Sequence, residues 1–124
     1  MRLEFIPDGA VDTPLIRIYD FDEAAVSRLH QAIEALQSGT SDHVFLHELP
    51  GMECVGDCRL TLIVGKHDVG VRRDGSQFVC TLTGTSWGDV ASRVAAFQEE
   101  PRGDWNYLVE EGDINLILSR SGGW

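Results

Sequence analysis

The chain has no run of apolar residues approaching the ~20 that a helix needs to span a bilayer. Its opening residues, MRLEFIPDGAVD, meet Pro7 and Asp8 before an apolar signal region can build, so neither membrane insertion nor export is expected. Cysteine is scarce: three residues, an odd number, form no closed disulfide framework and point to reduced thiols in the cytoplasm. Basic residues are also few. Ten Lys and Arg face twenty Asp and Glu, a net charge of −10. Binding to a phosphate backbone or an anionic lipid surface requires clustered cations that displace counterions. The only paired bases, Arg72-Arg73, run directly into Asp74, so nucleic acid and membrane are not expected partners.

Missing as well are linkers, charge blocks and low-complexity tracts. No nucleophile elbow, phosphate-binding glycine loop, dinucleotide fingerprint or calcium loop occurs. What remains is ordinary globular composition, 43% apolar and 24% charged, which excludes disorder. At 124 residues the chain has the size of one domain, 1–124, large enough for a core without staples.

Two helices stand out. Val26, Leu29, Ile33 and Leu36 recur on one helical face, with Asp20 and Glu23 at capping-box spacing before them and Gly39 after. Trp87, Val90, Val94 and Phe97 repeat the stripe after Ser86 and Asp89, and end before Pro101. A short third helix is expected from Trp105 to about Glu110, capped by Asp104. Strands are expected at Arg2–Ile6, Leu15–Tyr19, Val44–Leu49, Arg59–Val64, Val69–Arg73, Gln77–Thr83 and Ile114–Ser119. Asp74-Gly75 predicts a type I′ hairpin with Val71 opposite Phe78, as the centre of a three-strand meander. The fold expected is α+β, two main helices packed on one face of a largely antiparallel sheet of five to seven strands.

The densest chemistry lies in HVFLHELPGMECVGDC, which holds His43, His47, Cys54 and Cys58. On a strand the two histidines share a face but stand ~13 Å apart, too far for one ion. With zinc–nitrogen bonds of ~2.0–2.1 Å, they are not a metal pair. A looser metal site would join His47, Cys54 and Cys58 beneath the loop Pro50–Asp57, with Glu53, Asp57 or a distant His67 as a fourth ligand. Three residues separate the cysteines, where zinc knuckles and redox dithiols use two, and Glu53 and Asp57 oppose a thiolate. Cys80 alternates with Phe78 and Leu82 and reads as core. His67-Asp68 could supply a general base for a small hydrolase or isomerase, yet Gly65, Asp68 and Gly70 suffice as turn residues.

The C-terminal third combines aromatic anchors, Trp105, Tyr107 and Trp124, with Glu110, Glu111 and Asp113. Aromatics rimmed by charge are what protein interfaces use. The leading expectation is therefore a small binding module without catalysis or cofactor, engaging a protein partner of basic character through this surface. An exposed sheet edge would also allow a homodimer. The rival is a transition-metal- or thiol-dependent protein using His47, Cys54 and Cys58.

Overall fold

The computed structural model describes residues 1–10, 13–99 and 105–120. The strands are β1 (Arg2–Ala10), β2 (Thr13–Tyr19), β3 (His43–Phe45), β4 (Glu53–Cys54), β5 (Leu60–Val64), β6 (Gly70–Asp74), β7 (Gln77–Leu82), β8 (Trp105–Val109) and β9 (Asn115–Ser119). Helix α1 (Glu23–Ser38) follows β2, and α2 (Gly84–Glu99) follows β7. No helix among the described residues is long and apolar enough to cross a membrane.

Both predicted stripes are the buried faces of their helices: Val26, Leu29, Ile33 and Leu36 of α1, and Trp87, Val90, Val94 and Phe97 of α2. They meet Leu3, Ile16, Ile18, Leu60, Leu62, Leu116 and Leu118 from the strands in one apolar cluster. The caps lie slightly apart from their predicted places. Asp22, not Asp20, accepts the Ala25 N–H at 2.8 Å, because Asp20 takes a positive φ of 58° that turns the chain into the helix. Gly39, at φ 80°, ends α1 as expected. At α2, Thr83 Oγ1 accepts the Ser86 N–H, so Ser86 sits one turn inside the helix start rather than on it.

The fold class is α+β with mixed sheets, as the pattern of elements predicts. Its strands divide into a five-stranded sheet, β4-β1-β2-β9-β8, and a four-stranded sheet, β3-β5-β7-β6. A bridge between Val71 and Ile114 links them. Strand twist accumulates across a sheet, and so many short strands split more readily than they extend one flat surface.

Three local expectations are corrected. The third helix is strand β8: Trp105, Tyr107 and Val109 are β-favouring, and pairing with β9 outweighs a short helical pattern. Its predicted cap, Asp104, lies outside the described residues. The meander is replaced by a parallel β5–β7 pair, with β6 on the far side of β7. Asp74 pairs with Gln77, so Gly75-Ser76 forms the turn centre. Only Gly75 has positive φ, the type II′ pattern rather than I′. That moves Val71 opposite Cys80 and Arg73 opposite Phe78.

Candidate functional site

The predicted strand Val44–Leu49 hydrogen-bonds only through Phe45. Leu46–Glu48 then coils into a single 3-10 turn that buries Leu46 completely. The side chains still alternate. His43, Phe45 and His47 stack along one face, with ring centroids 5.0 Å apart for the first pair and 5.8 Å for the second. The Phe45 ring thus stands between the two imidazoles.

His47 also braces the backbone. Its Nδ1 accepts the Leu60 N–H at 3.1 Å, joining the 3-10 turn to the start of β5. Cys54, in the two-residue strand β4, donates its thiol to the His47 carbonyl at 3.6 Å. These two side chains line one surface hollow of about 460 Å³, together with Phe45, Glu48, Asp57, Arg59 and Gln77. Cys58 turns away from it and lines a smaller hollow of about 180 Å³ beside Phe5, Arg73 and Phe78. His67 is exposed in the β5–β6 loop. Among the described residues, no three His, Cys, Asp or Glu side chains converge as a metal ion would require.

All three cysteines are free thiols. Burial pushes the Cys58 thiol up to about 12, helped by the neighbouring Cys54 and by Glu4. Burial also raises Cys54, where Asp57 adds to the shift and Arg59 opposes it, and raises Cys80. A group held above its ordinary value stays protonated through neutral pH, and it is the thiolate that attacks or ligates. Native protein treated with a thiol reagent at pH 8 should therefore react first at half-buried Cys54, slowly, with Cys58 and Cys80 released only on unfolding. Fast native labelling of Cys58 would contradict this ordering.

The His67-Asp68 pair has a structural use. Asp68 Oδ1 accepts the Thr83 N–H at 2.9 Å, and Oδ2 accepts the Ser86 hydroxyl at 2.7 Å. Those bonds hold its carboxyl below the ordinary range and place negative charge at the N-terminal end of α2, where the helix dipole favours it. Each carboxylate oxygen thus accepts a hydrogen bond from the start of α2.

The C-terminal aromatics and acids lie at the outer strand of the other sheet. Trp105 and Tyr107 stand two residues apart on β8, their rings edge to face at 5.2 Å. Among the described residues β8 pairs with β9 alone, so it forms an edge of the five-stranded sheet. Trp105 keeps 38% of its surface exposed. Glu110, Glu111 and Asp113 follow, all exposed, in the turn to β9. Trp124 lies outside the described residues. That turn rests on the start of β6: Gly70 faces the backbone of Glu111 and Gly112, and Gly112 faces that of Val69 and Val71, across the junction of the two sheets.

Two features escaped the sequence reading. Phe45 looked like an ordinary strand residue, although histidines on either side of it at two-residue spacing mark an exposed face. Arg73 lies over both Phe5 and Phe78, at 5.2 and 5.1 Å from the ring centroids, a contact that pairs β6 with β1 across sequence. No protein-family model, curated protein or solved structure matches this chain.

Proposed function

We propose that the chain is a small acidic binding module, cytoplasmic and without catalysis, that engages a basic protein partner through the β8 edge and the turn after it. The observation that carries this reading is Trp105. A tryptophan more than one-third exposed, held edge to face by Tyr107 on an unpaired strand edge, is a rigid aromatic anchor, the side-chain type that dominates interface energies. Edge strands present main-chain donors and acceptors that a partner strand can take up. Glu110 and Glu111, with Asp113 beyond them, supply an acidic rim, and the −10 charge of the chain adds long-range attraction for a basic surface. Trp124 joins the proposal from its place in the sequence. Three free cysteines accord with a reducing compartment.

The experiment compares immobilised wild type with two variants, Trp105→Ala and the charge reversal Glu110→Lys/Glu111→Lys/Asp113→Lys, against lysate of the source cells, followed by titration of the retained protein. The expected result is a basic partner whose affinity falls about tenfold or more in each variant and whose binding to wild type weakens as salt rises. A partner retained equally by all three proteins, or none specific to wild type, would sink the reading.

A further inference from the structure

A second exposed aromatic lies at the edge of the other sheet. Phe45, with 46% of its surface exposed, is the most exposed large apolar side chain among the described residues. It is held between the His43 and His47 rings, so it presents a fixed surface. Among the described residues its strand, β3, pairs only with β5. The Val64 N–H donates to the Asp42 carbonyl at 3.0 Å, and Val44 lies opposite Leu62. Antiparallel pairing alternates, so the main-chain groups of Val44 face β5 while those of His43 and the N–H of Phe45 face the open side, the Phe45 carbonyl serving as the N-cap of the 3-10 turn. An extended chain laid there would find its donors and acceptors ready.

The hollow beside Phe45 settles the charge of what would enter it. Glu48 and Asp57 line it with two carboxylates against one guanidinium, Arg59. Among the described residues neither carboxylate lies in an ion pair, whereas Glu4, Asp20 and Glu53 each meet an arginine. Asp57 holds its place in a left-handed backbone conformation, φ 62°, that non-glycine residues seldom adopt. The Gln77 amide adds a further polar group at the wall. A cationic side chain in the hollow would meet an aromatic surface and two carboxylates on its walls, a combination that favours a guanidinium or ammonium group.

We propose that the β3 edge and this hollow form a second docking surface, which takes an extended segment of another protein by strand addition and seats one of its arginine or lysine side chains against Phe45, Glu48 and Asp57. This surface is independent of the β8 edge, since the two strands border different sheets.

The test is selection of a random peptide library displayed on phage against the full chain, followed by titration of the selected synthetic peptides. The expected peptides carry Arg or Lys within a β-favouring run. Their affinity should fall about tenfold or more for Phe45→Ala and for the double variant Glu48→Gln/Asp57→Asn, and stay unchanged for Trp105→Ala. All the altered side chains are exposed, and matching thermal unfolding curves confirm that each variant is folded. No enriched sequence, enriched sequences without a basic residue, or equal binding to Phe45→Ala would each overturn the inference. Peptides lost with Trp105→Ala but kept by Phe45→Ala would overturn it while leaving the β8 reading standing.

Discussion

Replacing Trp87 with alanine is expected to destabilise the native state by about 4–6 kcal/mol. Trp87 is wholly inaccessible to solvent on the inner face of α2, and its indole N–H donates to the Ile63 carbonyl at 3.0 Å. The side chain therefore does two things at one place. It fills the space between α2 and the four-stranded sheet, and it gives a main-chain acceptor on β5 a second donor. Truncating a buried tryptophan costs about 3–5 kcal/mol through lost transfer energy and the cavity left behind. The lost hydrogen bond adds about 0.5–1.5 kcal/mol, the Ile63 carbonyl keeping its place in the β5–β7 ladder. Native proteins hold only about 5–15 kcal/mol in total, so the variant should stand near the unfolding threshold at room temperature. Trp87→Phe separates the two contributions: the ring remains, the hydrogen bond goes, and the expected cost is about 0.5–1.5 kcal/mol. Urea unfolding followed by far-ultraviolet circular dichroism measures both. If the alanine variant unfolds within about 1 kcal/mol of wild type, the site has relaxed around the loss and Trp87 does not tie α2 to the sheet.

The position of Trp87 was legible because helical periodicity is local. Trp87, Val90, Val94 and Phe97 show their common face within eleven residues, as Val26 to Leu36 do in α1, and no distant information is needed. Strand existence was nearly as plain. Pairing was not, because each partner is chosen across the chain. The β6–β7 hairpin shows why. Moving the turn centre from Asp74-Gly75 to Gly75-Ser76 shifts the register by two residues, and a two-residue shift keeps every side chain on its face. Val71 packs inward opposite either Phe78 or Cys80, so alternation cannot choose between them. Trp105–Val109 failed for a related reason: five residues are too few for periodicity to separate helix from strand, and the deciding partner, β9, lies beyond an acidic turn.

The candidate surfaces were legible by composition and hidden in arrangement. Trp105, Tyr107, Glu110 and Glu111 announce themselves as aromatics beside acids, but that they lie on a sheet edge follows from strand order. The cluster His43 to Cys58 shows the converse. Residue types suggested metal or thiol chemistry, whereas the structure uses His47 and Cys54 to fasten a 3-10 turn and encloses Cys58. The large apolar side chain that the cluster leaves open to solvent is Phe45, which carries no reactive group of its own.

Gly70→Ala is expected to cost about 3–5 kcal/mol and to lower the unfolding temperature by roughly 10–20 °C, although it adds a single methyl group. Gly70 opens β6 with φ 84°, a conformation that an L side chain enters at about 1–2 kcal/mol. The larger contribution is steric. A Cβ built there would lie 2.0 Å from the Glu111 carbonyl oxygen, 2.3 Å from its carbon and 2.8 Å from the Gly112 nitrogen. All three are main-chain atoms, so no rotamer change relieves the clash, and the β8–β9 turn must lift away from β6. Gly75→Ala is the matched control, with φ 63° and no atom within 4 Å of its Cβ position. It should cost only the conformational part, about 1–2 kcal/mol. The difference between the two variants measures how tightly the sheets join at this point. The same lift displaces Glu110 and Glu111, so Gly70→Ala should weaken binding of a partner at the β8 edge with every acidic and aromatic residue there still present, while Gly75→Ala leaves that binding at wild-type strength. Equal melting temperatures for the two glycine variants would show that the acidic turn is not seated on β6, and the coupling between junction and surface would fail with it.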